Sequence, residues 1–524
     1  MLTSQDRSHQ AENSDARVQV LITAAEAFPE LERAFLAASS EIWASFRVFD
    51  LRTKLRSDAA KAIGETWFDL VEHTLSRGVA IHMAISDFDA IMAPRLHNHT
   101  WNSMRAFLAA AEIAGPQACL DVVGAAHPAR AGRPHRVLVW PWVYRRLAEV
   151  VEDLNADTPD RRARRLEHLP GLARHVEKDD DGFVRAKRWP PADLLPVTHH
   201  QKLAVFDRKT VYIGGLDLDE RRYDDPDHQR GRDETWHDVQ LMVEGGALAR
   251  EAQSHVEQFL KVTAGRGDPP PATELLTTVS RRHRVTTPFL GPKPVRNTLL
   301  EAHLARIESS EDLIYLETQF FRDIRIADAL AKRKREAPSL DLIVVLPGAP
   351  EDVAFDGATS SDAKFGEFQQ VRAFDRVQQA FGEDCIFCAP VRPEAYETGK
   401  RDCLAGSPII YVHAKLAIFD TTRAIVSSAN LNGRSLSWDT EAGLELDDPE
   451  MVAHLQRRTF SHWYGEDAPE AFLAPDTAVA EWRKRAMRNL QAKPSARQGF
   501  LVPYDPERAR AFGRWVPGVP DALV

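Results

Sequence analysis

The chain has 524 residues, 44% hydrophobic and 27% charged, with a formal net charge of −10. This length exceeds the size at which single cores stop growing, so two lobes of an ordinary globular protein are expected. The acidic balance argues against a nucleic-acid partner, and four cysteines in so long a chain argue against a disulfide framework.

Taken in order, residues 1–17 are polar and read as disordered, with no apolar stretch of a secretory signal. No run approaches the ~18 apolar residues of a membrane span. A cytoplasmic or peripheral-membrane location is therefore expected, or export by a route that leaves no N-terminal mark. Residues 18–264 form a first lobe. Glu41–Phe46 reads as a strand, Ala59–Ser76 as a helix stopped by Gly78, Val79–Ile85 as a second strand and Thr100–Ala114 as a helix, an alternation that implies an α/β lobe around a buried sheet. Residues 155–192 read as an insertion. Its basic run Arg161-Arg162-Ala163-Arg164-Arg165 is either a solvated helix face or a rim contact to anionic headgroups. A helix over Ala247–Val262 closes the lobe, and residues 265–292, with Pro269-Pro270-Pro271, read as a linker.

The second lobe, residues 293–475, repeats the order: strands at Leu313–Glu317 and Leu340–Leu346, a helix over Ala363–Ala380, and a strand containing Cys385-Ile386-Phe387-Cys388, whose cysteines read as structural. The loop 389–408 stands where it would cover a site. The tail, residues 476–524, is expected to pack across the lobes.

One motif occurs twice. His200-Gln201-Lys202 is followed by Asp207, and His413-Ala414-Lys415 by Asp420, both as His-x-Lys-x-x-x-x-Asp. Seven residues beyond each aspartate stand Gly214-Gly215-Leu216-Asp217 and Ser427-Ser428-Ala429-Asn430, so this is an internal repeat. Each copy predicts a strand, a turn and a returning strand. On the first strand, the His and Lys two residues apart share one face, while Leu203 and Val205 (Leu416 and Ile418 in the second copy) enter a core. Two copies facing each other would set two imidazoles and two ammonium groups around one small anion.

That constellation suits phosphodiester chemistry. Two lysines and an amide such as Asn430 can hold the non-bridging oxygens where charge develops. One neutral histidine can attack phosphorus, and the other, protonated, can supply the leaving oxygen with its proton and then activate the acceptor. Imidazole titrates near pH 6.5, so both forms are accessible. No metal and no cofactor are called for. A nucleophilic imidazole needs an acceptor on its other nitrogen. Asp238 and Glu441, which stand 38 and 28 residues beyond the two histidines, each open a strand that leads into a lobe-ending helix.

The duplicated motif resembles the signature of the phospholipase D superfamily. The longer matches Thr198–Lys202, Gly214–Leu218, Arg222-Tyr223-Asp224, Thr235–Val239, Ile314–Phe321, Ile410–Lys415 and Ser428–Ser435 resemble the eukaryotic-type phospholipases D. The resemblance covers roughly residues 36–465, and its departure is Ser427, where the family has glycine. It implies two similar α/β lobes related by a pseudo-twofold, each a mixed sheet flanked by helices, with the active site at their interface. It implies catalysis by His200, Lys202, Asp207, His413, Lys415 and Asp420, supported by Asp238, Glu441, Asn430, Ser428, Gly215 and Asp217. Within the motifs, Asp207 and Asp420 are expected to fix the hairpin turns rather than touch substrate. It further assigns the nucleophile to His200 and the general acid to His413. The implied substrate is a glycerophospholipid met at a peripheral membrane surface, its headgroup hydrolysed or exchanged for an alcohol. Alternatives are a cardiolipin-synthase-like phosphatidyltransferase, a nuclease of the superfamily, and a non-catalytic phosphate- or lipid-binding module.

Overall fold

The structure, a computed structural model, describes residues 17–285, 287–517 and 519–523. The first lobe contains β1 (Arg17–Ile22), β2 (Glu41–Phe46), β3 (Ala80–Ser86), β4 (Leu120–Ala125), a small hairpin of β5 (Val176–Lys178) and β6 (Val184–Ala186), then β7 (Leu203–Phe206), β8 (Thr210–Gly214) and β9 (Val239–Glu244). The second contains β10 (Leu275–Arg281), β11 (Lys293–Asn297), β12 (Leu313–Thr318), β13 (Asp341–Val345), β14 (Cys385–Pro390), the short β15 (Cys403–Leu404) and β16 (Ser407–Pro408), then β17 (Lys415–Phe419), β18 (Arg423–Ser427), β19 (Glu441–Leu446) and β20 (Leu501–Pro503).

The two large sheets run β1-β9-β8-β7-β2-β3-β4 and β11-β10-β19-β18-β17-β12-β13-β14-β20. From β9 to β4 and from β19 to β14 they correspond strand for strand. In each, the three strands that precede the motif are parallel to one another and the motif hairpin is antiparallel. The repeat in sequence is thus a repeat of the whole sheet.

Both faces of each sheet are buried, and the alternation along the motif strands sorts side chains between two cores. Leu203 and Val205 of β7 meet Leu416 and Ile418 of β17 in one core between the sheets. The alternate residues, Ala204 and Phe206, pack with Phe28, Phe35 and Trp67 under the first lobe's helices, and Ala417 and Phe419 do the same with Leu330 and Val377 in the second. Cys385 and Cys388 face opposite sides of β14 and are free, so they share no ligand.

Several expected boundaries are corrected. Residues 1–16 of the N-terminal segment lie outside the described residues, and Arg17 already opens β1. The helix expected over 59–76 is two helices, Asp58–Lys61 and Trp67–Ser76. The chain breaks at Gly64, where a Cβ would lie 2.3 Å from Asp69 Cβ, and restarts on a capping box between Thr66 and Asp69. The linker carries β10, which pairs with β19 as β1 pairs with β9. The insertion begins earlier than 155, with the helix Arg133–Asn155, and has its own small core of Val143, Leu147, Leu154, Leu166 and Leu172. The tail docks on the second lobe rather than across both: β20 pairs with β14, and the helix Pro475–Gln491 buries Trp482 against Tyr315 and Phe460. Phe500 reaches across, edge-on to His228.

Candidate active site

The two motif strands are drawn together by reciprocal backbone clamps between the lobes. His200 N–H donates to Thr440 C=O at 2.8 Å, and Thr440 N–H to Thr198 C=O at 3.1 Å. On the other side His413 N–H donates to His237 C=O at 2.7 Å, and His237 N–H to Tyr411 C=O at 2.8 Å. Each clamp lies one residue before a carboxylate, Glu441 or Asp238. Each histidine is therefore held by the other lobe: His200 Nδ1 lies 3.0 Å from Glu441 Oε1, and His413 Nδ1 lies 2.6 Å from Asp238 Oδ2. Counting residues within each repeat would suggest the opposite pairing; docking of the sheets crosses it.

Lys202 Nζ stands 3.2 Å from His200 Nε2 and donates to the His200 carbonyl at 2.6 Å; Lys415 Nζ stands 3.0 Å from His413 Nδ1 and donates to the His413 carbonyl. All four side chains are buried. Burial, with Lys202 and Arg47 behind it, holds His200 well below the ordinary imidazole range, and burial with Lys415 does the same to His413. Burial also pushes Asp238 up to about 6 and Glu441 up to about 8, and brings Lys415 down to about 7. Free of substrate, the site is short of negative charge. A bound anion would supply it and would favour a protonated imidazole and charged lysines.

The remaining predicted residues divide into two groups. Asp217, Gly215 and Ser428 touch the site's lysine and carboxylates, and Asn430 is buried two residues beyond Ser428. Asp217 Oδ2 lies 3.9 Å from Lys202 Nζ while its other oxygen accepts from Val48 N–H at 2.9 Å. Asn430 Oδ1 is buried with no hydrogen-bond partner. A Cβ on Gly215 would stand 2.2 Å from Asp238 Oδ1, so only glycine leaves room for that carboxylate. At the equivalent place Ser428 instead donates its hydroxyl to Glu441. Ser427, the departure from the family pattern, faces Gly443 across the ladder where Gly214 faces Gln240. The small residue has changed strands, and the close approach is kept.

Asp207 and Asp420 are not brought into the site. They follow the far ends of β7 and β17, about 16 Å along the strand from the lysines. Asp207 accepts from the backbone of Ser39, Ser40 and Glu41, and Asp420 from that of Glu311, Asp312 and Leu313, which ties each hairpin turn to the start of the neighbouring strand. Both adopt positive φ, 52° and 48°, a conformation that aspartate tolerates. Three arginines, not picked out by the sequence reading, add positive charge: Arg47 and Arg434 act on His200, and Arg222 on His413. Arg222 stacks 3.6 Å over Trp236, whose ring packs 4.5 Å from that of His413. Arg222 and Arg434 stand inside motif strings; Arg47 carries no local signal, being simply the residue after β2.

Among known families, residues 303–463 match the model of a cardiolipin synthase, phospholipase D-like domain. The chain is similar to phospholipase D1 of Saccharomyces cerevisiae, 25% identical over 48% of this chain and 20% of that protein. It is also similar to phospholipase D2 of Bos taurus, 24% identical over 51% of this chain and 39% of that protein. Phospholipase D1 of Schizosaccharomyces pombe is 25% identical over 68% of this chain and 32% of that protein. These alignments span well under half the length of the relatives. Among solved structures, phosphatidylserine synthase of Haemophilus influenzae Rd KW20 covers 94% of this chain and 100% of its own, at 11% identity and a TM-score of 0.47. With the sheets, the duplicated motifs and these relatives in view, the chain is a member of the phospholipase D superfamily.

Proposed function

We propose that the protein is a phospholipase D-type phosphodiesterase that removes or exchanges the headgroup of glycerophospholipids through a phospho-histidine intermediate. The observation that carries this reading is the crossed pairing of each imidazole with the other lobe's carboxylate, His200 with Glu441 and His413 with Asp238, beside two buried lysines. A carboxylate on Nδ1 leaves Nε2 for chemistry. In the first step, His200 Nε2 attacks phosphorus, the bond from phosphorus to the headgroup oxygen breaks, and His413 gives that oxygen its Nε2 proton. Lys202, Lys415 and Asn430 hold the non-bridging oxygens. In the second, His413 takes a proton from water or an alcohol, the oxygen attacks phosphorus, and the P–N bond breaks to free His200. Binding alone would require neither carboxylate.

A lipid surface suits the insertion. The run Arg161–Arg165 is not its cationic face, because Arg162 is buried on backbone carbonyls and Arg161 and Arg165 pair with Asp157. Instead Arg133, Arg136, Arg174 and Lys187 surround a cleft of about 360 Å³. Trp189 lines it and is 68% exposed, and Leu138 and Trp142, on the helix that carries Arg133 and Arg136, are 79 and 52% exposed. Trp189 lies on the segment that leads directly into the first motif. Basic side chains among exposed tryptophans match an anionic membrane interface. No helix among the described residues is long and apolar enough to cross a membrane.

The family match to a cardiolipin synthase domain favours a second reading, transfer of the phosphatidyl group to a lipid alcohol by the same two steps. Incubation with mixed phospholipid vesicles plus a primary alcohol, with products identified by mass, tests both. Phosphatidic acid and the phosphatidyl alcohol are expected. Product only with phosphatidylglycerol as acceptor selects the transferase, and intact phospholipids under every condition would overturn both readings.

A further inference from the structure

Behind His413, at the seam between the lobes, three histidines from separate segments converge: His228 on the loop after Tyr223, His237 just before β9, and His462 near the end of the helix Pro449–Tyr464. One ring nitrogen from each lies within 4.8 Å of the others. Among the described residues this is the one group of three or more His, Cys, Asp or Glu side chains within such reach. His228 and His237 are completely buried and His462 is partly buried.

The surroundings are those of a ligand set. His228 Nδ1 lies 2.7 Å from the buried carboxylate of Asp224, which turns Nε2 toward the cluster, 3.0 Å from His462 Nε2. A carboxylate behind a ligating imidazole is a recurrent arrangement at metal centres, where it fixes the tautomer. Glu317, from β12 of the other lobe, has one oxygen occupied by Tyr315 O–H and Trp463 Nε1–H. Its other oxygen stands 2.5 Å from His237 Nε2 without the alignment of a hydrogen bond. His237 Nδ1 is buried with no hydrogen-bond partner, and Nε2 has only this unaligned contact with Glu317. Buried polar atoms are rarely left so.

Charge leads to the same place. Asp224 and Glu317 are two fully buried carboxylates beside the three imidazoles. Arg458, one turn before His462 on the same helix, is engaged with Glu26 and the Val20 carbonyl. One divalent ion balances two carboxylates.

We propose that His228, His237 and His462 bind a structural zinc ion, with Glu317 as fourth ligand and Asp224 as the outer carboxylate. Imidazole nitrogens and a carboxylate oxygen are ordinary zinc donors, and a closed four-ligand set is the structural kind. Tetrahedral zinc–nitrogen bonds of ~2.0–2.1 Å put nitrogens ~3.3 Å apart, so binding draws the widest side of the triangle inward. The ion would pin first-lobe residues 228 and 237 to second-lobe residues 317 and 462. It would thereby hold the His237 carbonyl that accepts from His413 N–H. It touches no substrate, and the inference stands independently of the reaction assigned to the site.

The test uses the full chain with any affinity tag removed. After dialysis against metal-free buffer, about one zinc per chain is expected by elemental mass spectrometry. Unfolding with a strong chelator and refolding with cobalt should give the visible absorption of four-coordinate cobalt, and refolding with zinc should raise Tm above that of the metal-free protein. His462→Asn, at a partly exposed helix end, and His237→Asn should each lose the bound ion and the zinc-dependent Tm shift. Wild-type protein that carries no zinc and takes up neither metal on refolding would overturn the proposal, whatever the variants do. So would zinc retained in full by both variants, which would put the ion elsewhere.

Discussion

The two halves of the site share a strand order and differ at equivalent positions. Gly215 and Asp238 of the first lobe answer to Ser428 and Glu441 of the second: in one, a missing Cβ makes room for the shorter carboxylate, and in the other a hydroxyl binds the longer one. Asp217 answers to Asn430 in the repeat, so the acidic residue that stands 3.9 Å from Lys202 has an amide as its counterpart. Burial is similar, yet Lys415 falls to about 7, and the carboxylates sit at about 6 for Asp238 and about 8 for Glu441. A duplicated scaffold thus becomes two unlike proton environments by changes of one or two atoms. Unlike environments are what a nucleophile and a general acid require.

The largest effect should come from the histidines. His200→Ala is expected to abolish phospho-enzyme formation with every substrate. His413→Ala should lose about 10²–10⁴-fold on phospholipid but still form the phospho-enzyme from an aryl phosphodiester, whose leaving group needs no proton. Single-turnover labelling checks this; label kept in His200→Ala and lost in His413→Ala would exchange the roles. Next come the lysines. Lys202→Met and Lys415→Met each remove charge-assisted contacts of about 1.5–3 kcal/mol, or roughly ten- to a hundred-fold in turnover. Lys202→Met should also lower Tm further than Lys415→Met, since Lys202 is the lysine that forms an ion pair with Asp217; equal Tm values would remove that distinction between the lobes.

A smaller effect concerns pH. Lys415 must be charged to hold phosphate, and its pKa of about 7 means that it loses its proton as pH rises through neutrality. The alkaline limb of kcat/KM is therefore expected near pH 7. Asn430→Asp, which copies the first lobe's acidic neighbour, should move that limb up by about one unit, and a limb that stays in place would assign it to another group. The smallest effect is expected at the insertion. Trp189→Ala and Leu138→Ser should weaken binding to phosphatidylglycerol-containing vesicles several-fold in co-sedimentation, with turnover of a soluble aryl phosphodiester unchanged. Undiminished vesicle binding would remove this face as the membrane contact.

The sequence alone carried what is local or repeated. A period of two places His200 with Lys202 and Leu203 with Val205 on opposite faces whatever the rest of the chain does, and the duplication tells that the same hairpin exists twice. It also carried the turn role of Asp207 and Asp420, because strand geometry keeps a residue five places along the chain away from the lysines. The tertiary structure decided what depends on docking one sheet against the other. Glu441 serves His200 and Asp238 serves His413 because the clamps at Thr440 and His237 cross between lobes, and no spacing within a repeat encodes that crossing. The strand β10 was hidden behind three prolines, and its place beside β19 comes from an unpaired sheet edge, which propensity does not register. His228, His237 and His462 stand far apart in the chain without any motif spacing, and each alone looks like a core histidine. Only the packing of two lobes and a terminal helix brings their nitrogens together, because proximity across 234 residues is set by shape and burial rather than by local pattern.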